Sequence, residues 1–391
     1  EIDEEKADVY SFGMIAYFLF TGLEPSNSCT ARSSIEKLIP HPFDKLIQEC
    51  CFTQQLKRPT FKDILNQLVS SDFIRTIEEF DINYFQKYQK KVVDNEFIFP
   101  IQLYSDRKIN DFETGKMIGT GISGSVRLAT DKTNGVKLAF KKIALDENNK
   151  NDKFIDREIK ILSSINFPSI VPFYGLIKPE GERKEIIILF PWASNFDLEK
   201  LIKKESHNQK SCKWTYTQKC IVLYGIAMGM YKLHEINVIH RDIKPQNILI
   251  NQHFEPWITD FGLSKHVDQS QEMFQSTTVG TTLYMAPETF AEEEGGSHKY
   301  DGKRADVYSF GILIYYLMTG IQPWKNSSNR FTLIANVSKG NRPEIPVNIS
   351  ESIKKLIELC WNQNPEQRPT FKEIVEMISE PGFFKDSNRK F

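Results

Sequence analysis

The chain has 391 residues, enough for two or three domains, and its 40% hydrophobic and 26% charged residues are those of an ordinary soluble globular protein. A formal net charge of −1 argues against nucleic acid or an anionic membrane surface as the main partner. Six cysteines (Cys29, Cys50, Cys51, Cys212, Cys220, Cys360) form no CxxC pair and no His-spaced cluster, which disfavours a disulfide or zinc framework and favours an intracellular, cytoplasmic setting.

The first predicted element is the apolar run from Val9 to Phe20. It is too short to span a bilayer and acidic residues precede it, so a buried helix is expected rather than a targeting or membrane segment. The chain starts with Glu rather than Met, as a piece of a longer product would. The phrase KADVYSFGMIAYFLFTG (Lys6 to Gly22) returns as KRADVYSFGILIYYLMTG (Lys303 to Gly320), an offset of 306 − 8 = 298 between Asp8 and Asp306. A second phrase, CCFTQQLKRPTFKDILNQL (Cys50 to Leu68), returns as CWNQNPEQRPTFKEIVEMI (Cys360 to Ile378) with an offset of 368 − 58 = 310. The second copy therefore holds 12 more residues between the phrases, which indicates a duplicated domain part rather than a solenoid of short repeats. Nothing resembling residues 109–300 precedes the first copy, so residues 1–73 read as the tail of a unit. Between the copies, Ile74, Ile77, Phe80, Ile82 and Phe85 fall near helical spacing and predict a helix within a linker, 74–110, read as a tether.

From Phe112 to Leu189 the pattern is of short strands broken by one helix, and from Leu198 it is mostly helical. An α+β fold with a small strand-rich lobe and a larger helical lobe follows. MIGTGISGSVRLAT supplies Gly119, Gly121 and Gly124, positions where backbone N–H groups can approach phosphate oxygens unobstructed. Three such glycines are a weak signal alone, and a dinucleotide-binding turn competes. That turn must lead into a helix, whereas here an alternating, β-branched segment follows, predicting a hairpin that covers phosphates. In the next strand, KLAFKKIAL, Ala139 and Lys141 share one face, and Lys141 can reach phosphates past a flat base. In KFIDREIKILSSI the apolar stripe Phe154, Ile155, Ile159 and Leu162 flanks Glu158, a poor place for a carboxylate unless a cation such as Lys141 meets it.

VIHRDIKPQNILI packs Asp242, Lys244 and Asn247 into one polar loop between apolar strands, and WITDFGLS puts Asp260 eighteen positions after Asp242 (260 − 242 = 18). Asn247 and Asp260 offer hard oxygen ligands suited to Mg²⁺, leaving Asp242 to take a hydroxyl proton.

In this order the glycine loop, strand lysine, helix glutamate, HRDIKPQN, DFG, YMAPE (Tyr284 to Glu288), DVYSFG and QRPTF resemble a protein kinase domain, a bilobal fold, over residues 111–380, with 381–391 as a tail. DIKPQN together with DVYSFG, CW and RPTF is similar to serine/threonine kinases of the tyrosine-kinase-like group. The resemblance implies that Gly119, Gly121 and Gly124 cover the phosphates of ATP, that Val126 and Ala139 flank adenine, and that Lys141, held by Glu158, pairs with phosphates. It implies Asp242 as the group orienting the attacking hydroxyl, Lys244 as the cation steadying the transferring phosphoryl, and Asn247 and Asp260 as Mg²⁺ ligands. Phe190 would narrow the pocket behind adenine, and Ala193 would donate to it. Asp306 would hold the His240–Arg241 turn, Arg368 would pair with Glu288, and Arg241 would await a phosphate on Thr277, Thr278 or Ser276. Protein substrates bearing Ser or Thr are the implied partners, in intracellular signalling. Residues 1–73 resemble the last part of a second such domain, non-catalytic, as in a tandem arrangement. The competing reading is a pseudokinase or scaffold, against which Lys141, Glu158, Asp242, Asn247 and Asp260 are all present.

Overall fold

The computed structural model describes residues 4–21, 43–68, 81–95, 104, 107–121, 124–145, 152–178, 185–206, 214–266, 282–290, 300–325 and 329–384. The chain divides into two compact units, Glu1–Asp81 with Thr215–Thr217, and Ile82–Trp214 with Gln218–Phe391.

The first unit holds helices α1 (Glu4–Thr21), α2 (Phe43–Cys50) and α3 (Phe61–Leu68). Val9, Leu46, Cys50 and Ile64 form one core cluster and Tyr17, Ile47 and Cys51 another. The α3 start is capped by Thr60 and Asp63, each side chain taking the other's backbone N–H, at 3.2 and 2.9 Å.

The second unit begins with α4 (Ile82–Val93). Its sheet is antiparallel, in the order β1-β2-β3-β5-β4, from β1 (Phe112–Gly121), β2 (Gly124–Asp131), β3 (Lys137–Ala144), β4 (Gly175–Ile177) and β5 (Glu185–Pro191). Helix α5 (Asp152–Ser164) lies in chain order between β3 and β4. Period-two alternation puts Leu138 and Phe140 into one core with Tyr104, Phe112, Ala129, Ile177, Ile187 and Leu189. The helical lobe carries α6 (Leu198–Ser206), α7 (Tyr216–Glu235), α8 (Pro287–Phe290), α9 (Gly302–Thr319), α10 (Arg330–Ser338), α11 (Glu351–Cys360) and α12 (Phe371–Ser379). Two small ladders complete it: β6 (Val238–Ile239) with β9 (Lys265–His266), and β7 (Ile248–Ile250) with β8 (Pro256–Ile258). The sequence's strand-rich then helical division is the architecture observed.

The sequence repeat is also a repeat of contacts. A Cβ on Gly13 would lie 2.8 Å from Cys50 Cβ, and one on Gly311 would lie 2.8 Å from Cys360 Cβ. Phe12 meets Phe61 edge-on at 6.1 Å, and Phe310 meets Phe371 in a tilted arrangement at 5.2 Å. Arg58 lies over Tyr10 at 4.7 Å, as Arg368 lies over Tyr308 at 5.1 Å. Arg58 donates to the carbonyls of Phe52 and Lys6, both at 2.8 Å, and Arg368 to those of Asn362 and Arg304, at 2.8 and 3.0 Å. Both copies thus build the same helix crossing from the same short phrases. Gly311→Ala should destabilise the second unit by about 1–3 kcal/mol through overpacking, read as a shift in its unfolding midpoint.

The covering of the two copies differs. Ile15 is 60% exposed where its counterpart Leu313 is 0% exposed, and Asp8 is exposed where Asp306 is buried. Bare apolar surface and fewer covering contacts lower the cost of local opening. Cutting by protease and hydrogen exchange are therefore expected earlier within residues 4–68 than within 112–378. Simultaneous loss of both regions would refute this.

Candidate active site

The hairpin β1–β2 closes at Gly121 opposite Gly124, with Gly119 opposite Val126. Gly124 has φ of 131°, and a Cβ there would run into the Lys142 carbonyl oxygen, so this position admits glycine alone without strain. Across the sheet Leu128 faces Ala139, and Ala139 faces Phe190. Ala139 and Phe190, neighbours across the sheet, are both buried, as is Ala193 two residues beyond the end of β5.

Lys141 sits on β3 opposite Val126 and Ile188. Its Nζ donates to both oxygens of Glu158, at 2.7 and 2.9 Å, and to Asp260 Oδ1 at 3.3 Å. Helix α5, which carries Glu158, packs against the Phe261–Leu263 turn that follows Asp260. Lys142, on the opposite face, reaches Glu185 at 3.8 Å instead. Burial works against the Lys141 ammonium, but Glu158 and Asp260 outweigh it and hold its pKa above the ordinary lysine value. Burial likewise pushes the Asp260 carboxyl up, and Lys141 beside it outweighs this and leaves it below the ordinary range. At Glu158 burial wins, and its carboxyl lies above the ordinary value although Lys141 opposes the shift.

The loop after β6 holds Asp242, Lys244 and Asn247. Asp242 Oδ2 accepts from Lys244 Nζ at 2.6 Å and from Asn247 Nδ2 at 2.8 Å. Asp242 Oδ1 is buried and accepts no hydrogen bond among the described residues. Asn247 spends its amide N–H also on the Asp242 carbonyl at 2.8 Å, so its amide oxygen is the donor left for a cation. Among the described residues no three His, Cys, Asp or Glu side chains cluster as a metal cage. A hard cation here would rest on Asn247, Asp260 and the oxygens of a bound phosphate, the set that suits Mg²⁺.

Asp306 fixes the loop from behind. It accepts from the backbone N–H of His240 and Arg241, both at 2.8 Å, and meets His234 Nε2 at 3.0 Å. These bonds support Arg241 at φ 69°, a costly conformation for a non-glycine residue. His234 was missed in the sequence, although a histidine near the end of an apolar helix, six residues before His240, was a visible signal. Arg241 Nε has no hydrogen-bond partner among the described residues, and Arg241 lines a recess with Met285, Ala286, Tyr300 and Asp306. Arg368 meets Glu288 at 2.5 and 2.9 Å. Ser276, Thr277 and Thr278 lie outside the described residues. The structure thus brings Lys141, Glu158 and Asp260 together, and separately Asp242, Lys244 and Asn247.

A family model described as the protein kinase domain matches residues 112–378. The chain is 33% identical over 281 residues, 71% of its length, to a probable serine/threonine-protein kinase of Dictyostelium discoideum, of which it covers 20%. It is also 30% identical to two probable LIM domain-containing serine/threonine-protein kinases of the same organism, over 88% and 92% of its own length and 46% and 32% of theirs. The chain therefore spans a fifth to just under half of these relatives. The two longer alignments, of 352 and 365 residues, extend beyond the 378 − 112 + 1 = 267 residues of the family match.

Proposed function

Because the chain belongs to the protein kinase family, we propose that its second unit transfers the γ-phosphoryl group of Mg-ATP to serine and threonine hydroxyls of protein substrates in intracellular signalling. The observation that carries this reading is the division of labour at Asp242, one oxygen held by Lys244 and Asn247 and the other buried and unpartnered among the described residues. The free oxygen is where a substrate hydroxyl would hand over its proton as its oxygen attacks the γ-phosphorus and ADP leaves. Lys244, within reach of Asp242, would lie against the transferring phosphoryl. Gly119, Gly121 and Gly124 would cover the phosphates, Val126 and Ala139 would flank adenine, and Ala193 would donate to its edge. Lys141 would hold phosphate oxygens. Asn247 and Asp260 would hold Mg²⁺, which supplies charge neutralisation between phosphate oxygens.

Lys141→Met should weaken ATP binding and slow transfer together, since it removes a cation from the phosphates and leaves Glu158 buried without its partner. Lys142→Met should do neither; if it were the damaging change, the strand face would be misassigned.

The pseudokinase reading is disfavoured by the completeness of Lys141, Glu158, Asp242, Asn247 and Asp260. The test is label transfer from γ-labelled ATP by the full chain to peptide arrays bearing Ser, Thr or Tyr, with and without chelator. Chelator-sensitive labelling of Ser and Thr peptides supports the proposal. Nucleotide binding without any transfer would replace it with the pseudokinase reading.

Residues 1–73 read as the closing part of a second kinase-like lobe, linked through 74–110 to a catalytic domain at 111–380. They contain no glycine loop, no Asp242 equivalent and no metal ligand pair, so no transfer is assigned to them. DVYSFG, CW and RPTF support placement in the tyrosine-kinase-like group. A cytoplasmic setting fits Cys50, Cys51 and Cys360, buried and outside any disulfide among the described residues. Among the described residues no helix is long and apolar enough to cross a membrane.

Arg241 is the cation to which a phosphate on Thr277 would bind, with Thr278 and Ser276 as the neighbouring acceptors. Such a phosphate carries about −1.5 to −2 charge, enough for one to three charge-assisted bonds. Thr277→Ala and Arg241→Ala should each lower activity, with phosphate mapping to residues 276–278 after incubation with Mg-ATP. Full activity in both, with no phosphate there, removes the loop from regulation.

A further inference from the structure

Helix α4 is more than a spacer in its contacts, since it is part of the second unit and buries one face there. Phe85, Tyr88 and Val92, at helical spacing, are the buried residues of that face. Phe85 meets Tyr224 of α7 at 5.5 Å and Phe384 at 5.0 Å. Tyr88 meets Tyr224 at 6.3 Å and fills a slot that exists because residue 225 is glycine. A Cβ there would collide with the Tyr88 hydroxyl and lie 2.5 Å from Pro256 Cγ. The two ends of α4 then grip one particular feature. Lys91 Nζ meets Glu255 Oε1 at 2.6 Å, and Tyr84 Oη reaches the His253 carbonyl at 3.4 Å.

Glu255 closes the turn that joins β7 to β8. Its other oxygen accepts from Asn251 Nδ2 at 2.9 Å, while Asn251 Oδ1 accepts from the N–H groups of His253 and Glu255 at 2.8 and 3.0 Å. The ladder is three pairs long, Ile248 with Ile258, Leu249 with Trp257 and Ile250 with Pro256. Asn247 directly precedes it, Asp260 follows it by two residues, and the Thr259 N–H donates to the Asn247 carbonyl at 3.0 Å. The two residues assigned to the cation are therefore the two legs of one short hairpin, and α4 holds its turn. Glu255 is 7% exposed, so without Lys91 a nearly buried carboxylate loses its cation and must move toward water, dragging the turn with it.

We propose that α4 is a positioning helix for the metal site, with Lys91 acting through Glu255 to set Asn247 and Asp260. The proposal rests on the reading of those two residues as Mg²⁺ ligands. Groups that orient metal ligands from outside the coordination sphere cost about 10–100-fold in metal affinity when lost, and Lys91, one residue further out, should fall at the low end.

The test uses the full chain with Lys91→Glu, which sets a second carboxylate against Glu255, and Lys91→Arg, which keeps the cation. Hydrogen exchange is followed at residues 82–95 and 248–258, Mn²⁺ binding in the presence of ATP by electron paramagnetic resonance, and kcat and KM against free Mg²⁺. Lys91→Glu should speed exchange in both segments and raise the cation concentration for half-saturation about tenfold, with the KM for peptide unchanged, and Lys91→Arg should keep exchange and cation affinity at the wild-type level. Released α4 with unchanged cation affinity overturns the proposal. So does unchanged exchange in Lys91→Glu, since Lys91 would then hold nothing. A wild-type chain that binds Mn²⁺ and ATP, responds to Lys91→Glu, yet transfers no phosphoryl overturns the transfer reading alone and supports the positioning role.

Discussion

Asp242→Asn in the full chain will cut phosphoryl transfer about 10²–10⁴-fold, the range for removing a positioned general base, while nucleotide affinity stays nearly unchanged. The reason is geometric. Asp242 touches Lys244 and Asn247 through Oδ2 and the proposed hydroxyl through Oδ1, and none of its hydrogen bonds reaches Lys141 or the glycine hairpin. An asparagine keeps the shape and offers Lys244 an amide oxygen, but it turns a proton-accepting oxygen into a donor or a much weaker base. Steady-state transfer from labelled ATP and a nucleotide titration on the same sample separate the two effects. Wild-type transfer in the variant would end the assignment, and a parallel collapse of nucleotide affinity would mean that Asp242 chiefly holds the loop together.

Arg368→Ala should cost the second unit about 3–5 kcal/mol, the cost of breaking a buried ion pair from one side. The Arg368 side chain is 0% exposed, pairs with both oxygens of Glu288 and donates to the carbonyls of Asn362 and Arg304. Its loss strands the Glu288 carboxylate and two carbonyls at once. The internal control is Arg58→Ala. Arg58 makes the equivalent bonds to the Phe52 and Lys6 carbonyls, and no carboxylate pairs with it among the described residues, so about 1 kcal/mol is expected. Denaturant unfolding followed by exchange within residues 300–378 and within 43–68 assigns each loss to its own unit. Equal, small losses would show that the Glu288 pair adds little to the backbone bonds.

The duplication was legible from the sequence because the two phrases that meet in these contacts are both repeated. Gly13 and Gly311 allow the same close helix approach, and the RPTF phrases build the same arginine brace on the same tyrosine. The lobe order was legible as a change of period from two to helical. The spacing of Ile74, Ile77, Phe80, Ile82 and Phe85 reads as a tether helix; Ile82 and Phe85 fall on α4, the other three lie outside the described residues, and the spacing carries no sign of what covers α4. The Gly225 slot, the Glu255 turn and Phe384 lie between 137 and 299 residues away from Tyr88, Lys91 and Phe85 (225 − 88 = 137; 384 − 85 = 299).

By itself the sequence determined the two-lobed α+β architecture and the repeat, and it named the candidates for the site, since each is carried by short motifs legible along the chain. Tertiary structure alone decided which oxygen of Asp242 is left unpartnered among the described residues, that Asp306 braces His240, Arg241 and His234 together, and that α4 docks on the hairpin bearing Asn247 and Asp260. Those outcomes depend on distances of a few ångströms between groups brought together by folding. A pattern of spacing along the chain shows which residues can share a face, and only packing settles what that face meets.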